Sequence, residues 1–221
     1  MREGIRLYND GEYARALEYL LQLDVPADQY SEQAYYLGLC YAKLDKFDEA
    51  LLYLEQVAAS EMDFARIFQA RLIIGYVYAV TERFRLAEFE FNQLLEEGFE
   101  SPKVYSAMAY ALYKQDKAAQ SIALLEKALE IDPENSNALN SLGYILVDQD
   151  VRVRVGLKYC RRALEKNPEN PAYLDSVGWA QYKCDNVSEA RRYLEMAKKN
   201  LAGNQEFDHH WSVVSQKAQK V

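Results

Sequence analysis

Apolar residues recur along this chain at three- and four-residue spacing, in segments of helical length that short polar stretches separate. This pattern predicts pairs of helices, A and B, that repeat six times along the sequence. Small residues mark the A helix of each repeat, and successive ones lie 34, 37, 34, 34 and 35 positions apart. These small residues are Gly4, Gly38, Gly75, Ala109, Gly143 and Gly178.

Further positions mark the B helix of each repeat. A second small residue follows the first after twelve positions, or after thirteen in the fifth repeat. A large apolar residue or cysteine comes four later, and another apolar residue three after that. In repeat order these are Ala16, Leu20 and Leu23; Ala50, Leu54 and Val57; Ala87, Phe91 and Leu94; Ser121, Leu125 and Ala128; Gly156, Cys160 and Ala163; Ala190, Leu194 and Ala197. We expect the paired small residues to let two helices approach closely, and stacked repeats to share one core.

The connections between the predicted helices carry matching start and stop signals. Pro133 and Pro168 come just after a B helix, where proline cannot continue the helix. Ser101–Pro102 and Asn170–Pro171 each predict an N-cap followed by proline at the first helical position. These signals fall where the repeat spacing places them.

Two repeats depart from the regular length. The second repeat carries about three extra residues around 60–64. The fifth carries one extra residue near 148–154, which we expect in the turn between its two helices and which brings Gly156 into line. Both departures affect the local geometry of the array and not the fold class.

Composition and charge narrow the classes of partner. The 221 residues are 50% apolar and 27% charged, with only 9 Gly and 5 Pro, which favours long helices joined by short connections. The net charge is −8, so the chain lacks the excess of basic residues that nucleic-acid binding requires. We see no apolar run of the roughly 18 residues that would span a bilayer, so we expect no membrane insertion. Tyrosine is abundant, with 18 residues, and suits half-buried or partner-facing surfaces.

Candidate chemistry is sparse. The three cysteines, Cys40, Cys160 and Cys184, form no metal-binding or disulfide pattern, and we expect buried apolar roles for them, with Cys40 and Cys184 inside A helices. Adjacent helical residues point in different directions, so His209 and His210 are predicted to be surface histidines and not a metal site. With no phosphate loop or other catalytic motif, we expect no catalytic residue, no metal, no cofactor and no enzyme activity.

The segments Ala34–Tyr41 and Asp175–Ala180 resemble the tetratricopeptide repeat (TPR) family, and six aligned repeats extend the resemblance over nearly the whole chain. The segments that begin at Asn140 and Leu174 are similar to repeats of bacterial TPR proteins. The resemblance implies an all-α, right-handed superhelical solenoid of about six helix-turn-helix units. A lone C-terminal helix that contains Trp211 is expected to cap the last repeat.

The predicted organisation is a single solenoid domain over residues 1–221. Its repeats span 1–30, 31–67, 68–101, 102–135, 136–170 and 171–204, followed by a cap at 205–221. The first repeat opens inside its A helix, so we expect a domain excised from a longer protein, with a truncated first helix as the alternative. The odd cysteine count favours a cytoplasmic location. A periplasmic or envelope-associated location is the alternative if a signal segment was removed.

In the TPR family, one face of the A helices lines a concave groove for partners, and the resemblance implies groove positions in every repeat here. Those positions are Tyr8; Tyr35, Tyr36 and Lys43; Leu72 and Tyr76; Lys103, Tyr110, Tyr113 and Lys114; Asn137, Asn140, Tyr144 and Asp148; Asp175, Trp179, Tyr182 and Lys183. These groove positions include four lysines and only two aspartates, so we expect the bound peptide to have apolar anchors and a few acidic groups. The alternative is that some of the tyrosines complete the packing between repeats.

The resulting functional hypothesis is a scaffold or adaptor that binds a protein or peptide ligand in an aromatic groove. The lysine and asparagine arrangement with which one TPR subclass grips chaperone tails is not reproduced, because Asn137 and Asn140 lack the paired lysines. Two alternatives stay open: a self-assembly module that forms a homo-oligomer, and a regulatory part of a larger protein.

Overall fold

The computed structural model describes residues 1–218 and contains thirteen α-helices, one 3-10 helix (Ala27–Gln29) and no strand within that range. The predicted all-α fold is confirmed. The helices are α1 Arg2–Asn9, α2 Tyr13–Leu21, α3 Tyr30–Lys43, α4 Phe47–Ala58, α5 Phe64–Val80, α6 Phe84–Glu96, α7 Pro102–Tyr113, α8 Ala118–Ile131, α9 Ser136–Asp148, α10 Val153–Lys166, α11 Pro171–Lys183, α12 Val187–Leu201 and α13 Gln205–Ala218.

The helices form two compact units. The N-terminal unit (Met1–Glu100) holds the hairpins α1/α2, α3/α4 and α5/α6, and the C-terminal unit (Ser101–Val221) holds α7/α8, α9/α10, α11/α12 and the lone helix α13. Each unit buries its own apolar clusters between neighbouring hairpins. The division of the chain as one domain stays a prediction.

The predicted boundaries between repeats need two adjustments. The boundary at 67/68 falls inside α5, which begins at Phe64 and is 17 residues long, and the boundary at 30/31 falls one residue into α3. The extra residues around 60–64 therefore divide between a loop and an additional first turn of α5. Residues 219–221 of the predicted cap lie outside the described residues.

Each hairpin closes where the paired small residues meet. A Cβ added to Gly38 would lie 2.6 Å from the Leu54 side chain, and one added to Gly75 would lie 2.5 Å from the Phe91 ring. Since real Cβ atoms do not approach this closely, glycine at these two positions allows the large residue of helix B to fill that space. In the fifth hairpin, a Cβ on Gly143 would lie 2.7 Å from the carbonyl oxygen of Gly156.

The last of the three B-helix positions is buried in every repeat except the first. Val57, Leu94 and their counterparts in the later repeats are fully buried, but Leu23 is only half-buried, because α2 ends at Leu21. The Gln33 side-chain amide donates hydrogen bonds to backbone carbonyl oxygens at the end of α2, at 2.7 and 2.8 Å. Pro26 follows shortly after and cannot continue the helix.

The turns between A and B helices share a conformation that the apolar pattern did not predict. In every hairpin, the residue seven positions after the first small residue has a positive φ, between 53° and 80°. The six residues are Gly11, Asp45, Glu82, Asp116, Asp150 and Asp185. The fifth hairpin has a second residue of this kind, Arg152 with φ 54°, which accommodates the extra residue in the turn as predicted.

The predicted helix starts are confirmed. The Ser101 side chain accepts a hydrogen bond from the backbone N–H of Val104, and the Asn170 side chain accepts from Ala172 and Tyr173. Both caps precede a proline in the first helical turn. These caps fix the starts of α7 and α11, two of the helices that carry predicted groove positions.

Helix α13 packs against the last hairpin, as the predicted cap requires. Phe207 and Val214 are buried together with Leu174 and Leu194 of that hairpin. The Asn204 side chain begins the helix by accepting hydrogen bonds from two backbone N–H groups of its first turn, each at 3.1 Å. This packing brings one edge of α13 to the A helices of the C-terminal unit.

Candidate functional site

A cavity of about 270 Å³ opens on the A-helix side of the C-terminal unit. Six of its lining residues are predicted groove positions on three successive A helices: Tyr110, Tyr113, Lys114, Asn140, Tyr144 and Asp175. The other lining residues are Leu125, Ser141, Ile145, Ala172, Ser176 and Glu206. We call this feature the C-terminal cavity.

Tyrosine side chains form the walls of the C-terminal cavity. The rings of Tyr113 and Tyr144 are perpendicular, with centroids 6.2 Å apart, and Tyr110 is 47% exposed beside them. The Tyr113 hydroxyl donates a hydrogen bond to Asp148 at 2.6 Å, and the Tyr144 hydroxyl donates to Glu206. Each phenol is therefore held in a fixed orientation by a carboxylate at its edge.

Burial and neighbouring carboxylates raise the pKa values of these two phenols. Burial raises the pKa of Tyr144, and the negative charge of Glu206 raises it further. Burial also raises the pKa of Tyr113, and the hydrogen bond to Asp148 adds to that shift. Both hydroxyls therefore remain hydrogen-bond donors at neutral pH.

Helix α13 closes one end of the C-terminal cavity, and this corrects the prediction for the histidines. His209 is exposed as predicted, but His210 is buried, with 2% of its surface exposed. Its Nδ1 lies 3.0 and 3.1 Å from the two carboxylate oxygens of Asp175, to which it donates. The prediction of a surface residue is wrong for His210 because α13 takes the place of a further A helix beside α11.

The same contact covers the predicted groove residue Trp179. Its indole stacks on His210 at a centroid distance of 4.3 Å and on Tyr182 at 5.1 Å, and only 6% of Trp179 is exposed. Lys217 of α13 lies over the Tyr182 ring at 5.0 Å. Trp179 and Tyr182 thus contact the chain's own C-terminal helix rather than an open groove.

Other predicted positions of the C-terminal unit serve contacts between hairpins. Asn137 accepts a hydrogen bond from the Tyr173 hydroxyl at 2.5 Å. Lys183 forms an ion pair with Asp150 at 2.8 Å. Lys103 is exposed on the first turn of α7 and does not line the cavity. The predicted excess of lysine over aspartate is therefore wrong at the cavity itself.

The predicted groove tyrosines of the first two hairpins pack against one another. Tyr8 and Tyr36 have ring centroids 5.8 Å apart, Tyr35 and Tyr36 5.2 Å, and Tyr35 is 5% exposed. The Lys43 ammonium lies 5.9 Å from the Tyr13 ring. Tyr35 therefore fits the alternative prediction, in which some of the tyrosines complete the packing between repeats.

The third hairpin shows the same behaviour. Leu72 is buried, and the Tyr76 ring meets the edge of Phe91 with centroids 5.8 Å apart. Among the predicted groove positions of this unit, the structure buries Tyr35 and Leu72, leaves Tyr8, Tyr36 and Tyr76 half-buried in ring contacts, and leaves Lys43 exposed. In the C-terminal unit, six of the predicted positions lie together around one cavity.

Sequence reasoning missed several residues of the C-terminal cavity. Ser141 and Ser176 each precede the small residue of an A helix by two positions, so the repeat spacing could have found them. Glu206 gave no periodic signal, because its position depends on where α13 packs. The cavity is consequently more acidic than predicted.

Two of the three cysteines, Cys40 and Cys160, are buried as predicted. Burial raises the pKa of Cys40 to about 11 and that of Cys160 to about 12, so neither thiol ionises at neutral pH. Cys184 is half-buried and lies just after α11, not inside it. Within residues 1–218, no cluster of three histidine, cysteine, aspartate or glutamate side chains could hold a metal ion.

Among the helices of the described part of the chain, none combines the length and the apolar character needed to cross a bilayer.

Comparisons with known proteins agree with the repeat pattern. A family profile for the tetratricopeptide repeat matches residues 106–171. A TPR repeat-containing protein of Pseudomonas aeruginosa (strain PAO1) is 29% identical over 162 residues, which cover 70% of this chain and 26% of that protein. The chain thus spans about a quarter of the length of this curated relative.

Solved structures show the same fold. YrrB, described as a TPR protein with an unusual peptide-binding site, aligns with a TM-score of 0.60 and 16% identity over 95% of this chain and 98% of that chain. A thermophilic TPR protein of Thermus thermophilus aligns with a TM-score of 0.66 and 12% identity over 84% of this chain and 99% of that chain. Proteins with this fold are typically protein-interaction scaffolds and not enzymes.

Proposed function

We propose that this chain, a tetratricopeptide repeat protein, acts as an adaptor that binds a peptide or protein partner at the C-terminal cavity. The observation that carries the proposal is the convergence of six predicted groove residues, from α7, α9 and α11, on one cavity. A scaffold of stacked hairpins supplies rigid helices on which such a site can be held. In this proposal, side chains of the cavity bind the partner and catalyse no reaction on it.

The chemistry of the lining suits a protein ligand. Tyr110, Tyr113 and Tyr144 offer large, stiff aromatic surfaces, and tyrosine is enriched among residues that dominate binding energy. Polar groups at the edges, among them Asn140 and Ser141, can fix the orientation of a bound segment. The peptide-binding site for which YrrB is described lends support by fold analogy alone.

The test is an affinity capture from cell extract with the full chain and two tyrosine variants. Tyr110→Ala removes an exposed wall of the cavity, and Tyr30→Ala removes a tyrosine of similar exposure, 55% against 47%, in the N-terminal unit. Both variants should keep the helical content of the wild type, which circular dichroism checks.

We expect a protein that wild type and Tyr30→Ala retain and that Tyr110→Ala loses. Loss of one aromatic wall should weaken binding by about 2 kcal/mol, a decrease of roughly thirtyfold in affinity. If all three proteins capture the same set, the C-terminal cavity is not the partner site and the proposal fails.

A further inference from the structure

Negative charge surrounds the C-terminal cavity. Asp175 and Glu206 line it, and Asp148 accepts the hydrogen bond of Tyr113 at its edge. Among the described lining residues, Lys114 is the one lysine or arginine. The aromatic walls therefore stand in an excess of carboxylates.

We infer that the C-terminal cavity takes a basic side chain, an arginine above all, from the bound peptide. This inference rests on the proposed function of the cavity as the partner site. It replaces the acidic peptide that the lysine count of the groove positions predicted, because the structure adds Glu206 to the site and pairs Lys183 with Asp150.

The size of the cavity fits one side chain. Pockets that enclose a drug-sized ligand measure about 300–1,000 Å³, and the C-terminal cavity, at about 270 Å³, lies just below that range. A single long side chain could enter while the peptide backbone stays outside. The lining helices α7, α9 and α11 would then contact the backbone along their exposed faces.

Hydrogen-bond acceptors at the cavity match a guanidinium group. The Oδ1 atom of Asn140 is buried and finds no hydrogen-bond donor among the described residues. The carboxylates of Asp175 and Glu206 add charged acceptors to the same lining. Asp175 already pairs with His210 and Glu206 already accepts from Tyr144, so a guanidinium would use their remaining lone pairs. A guanidinium carries five N–H donors in a planar fork and no acceptor, so it complements such a set better than a carboxylate or an amide does.

The tyrosine faces favour a cation as well. Lys114 already holds its ammonium 5.7 Å from the Tyr110 ring centroid, within the range of a cation–π contact. A guanidinium can stack on Tyr144 in the same way, or take the place of the Lys114 ammonium on Tyr110. The carboxylates that help to raise the pKa values of Tyr113 and Tyr144 after burial would stabilise that positive charge too.

The first experiment selects peptides from a random dodecapeptide display library on the full chain and on Tyr110→Ala. We expect peptides that bind wild type only and that share an arginine or lysine at one fixed position. Peptides that depend on Tyr110 but share an acidic or an apolar residue at that position overturn the inference and leave the proposed function standing. If no selected peptide distinguishes the two proteins, both the inference and the proposed function fail.

The second experiment tests whether the positive charge of the peptide's basic side chain contributes to binding. The best selected peptide is labelled with fluorescein and compared with a copy in which citrulline, a neutral isostere of arginine, replaces the shared basic residue. We expect fluorescence anisotropy to show about tenfold weaker binding of the citrulline peptide, as for loss of a charge-assisted contact. Equal affinity of the two peptides would overturn the inference.

A matched pair of glutamate variants locates the interaction. Glu206→Gln removes a carboxylate that lines the cavity, whereas Glu195→Gln removes one that pairs with Arg191 along α12. We expect Glu206→Gln to weaken the arginine peptide several-fold and the citrulline peptide little, and Glu195→Gln to change neither. Equal effects of the two variants would contradict the assignment of Glu206.

Discussion

Replacement of Phe207 by alanine tests whether α13 is anchored to the last hairpin. Phe207 is 1% exposed and packs in one cluster with Leu174, Leu194 and Val214. Truncation of a buried phenylalanine to alanine costs about 3–5 kcal/mol, because transfer energy is lost and a cavity remains. The lower figure already corresponds to more than a hundredfold change in an equilibrium, since about 1.4 kcal/mol is a factor of ten.

The loss of stability should concentrate in α13, because this helix packs at the end of the array of hairpins. Undocking of α13 leaves the pairing of α11 with α12 in place, so Phe207→Ala should favour local opening more than global unfolding. Hydrogen exchange followed by mass spectrometry measures this opening. We expect the amides of residues 205–218 to exchange about a hundredfold faster than in the wild type, while those of α11 change less.

Phe89→Ala is the matched control, because Phe89 is 56% exposed on α6. Its cost should stay within about 0.5 kcal/mol, as for surface substitutions generally. Tryptophan fluorescence gives a second measurement, since Trp179 stacks on His210 of α13 and Trp211 lies in α13. If Phe207→Ala changes exchange and fluorescence no more than Phe89→Ala does, α13 is not packed as described.

Three further predictions concern the hairpins and the titrating groups. Gly143→Ala would place a Cβ 2.7 Å from a backbone carbonyl oxygen of α10, and overpacking of about 1–3 kcal/mol should outweigh the roughly 0.5–1 kcal/mol that alanine gains in a helix. A lower urea midpoint is therefore expected, and an unchanged one would contradict the close approach. Because burial raises the pKa of Cys40 to about 11 and that of Cys160 to about 12, Ellman's reagent at pH 8 should find one fast thiol, Cys184, and all three only in urea; three fast thiols in the native protein would refute this. Burial raises the pKa of Tyr35 to about 12, above its ordinary value of about 10. The folded state thus keeps a proton that the unfolded chain loses, so the contribution of Tyr35 to stability is fully present below pH 10 and should be lost between about pH 10 and 12. Urea unfolding at several pH values measures this, and stability that stays constant across that range would speak against it.

The repeat register could be predicted from the sequence because it depends on local pairs of residues. Gly38 lies sixteen positions before Leu54, and the same spacing relates Gly178 to Leu194. The structure places each glycine against the side chain of its partner leucine. A close helix-to-helix contact leaves no room for a Cβ, so the pattern of small and large residues specifies the hairpin directly.

The candidate site could be predicted only in part, because α13 has no periodic signature. Its apolar residues indicated a cap, but not that His210 would reach Asp175 or that Glu206 would line the cavity. The predicted groove residue Trp179 is covered for the same reason. Side chains that meet through the placement of a lone helix cannot be paired by counting along the repeat.

The aspartates in the turns between the A and B helices are a sequence signal for the positive-φ conformation. Asp116 and Asp185 occupy the positive-φ position of their hairpins, and aspartate tolerates this conformation better than most residues. Glu82 and Arg152 take the same conformation without that preference, so composition alone would have missed them. The turn between α9 and α10 holds its extra residue through two such positions.

The most direct test of the central claim is site-specific photo-crosslinking at the C-terminal cavity. A photoreactive phenylalanine derivative is placed at Tyr110 in one protein and at Tyr30 in another, both exposed tyrosines, and each protein is irradiated in cell extract. We predict that position 110 crosslinks to a discrete partner that position 30 does not, and that the arginine peptide competes with it. Crosslinking to the same partner from position 30 alone, or equally from both positions, would contradict the claim that the partner binds at the C-terminal cavity.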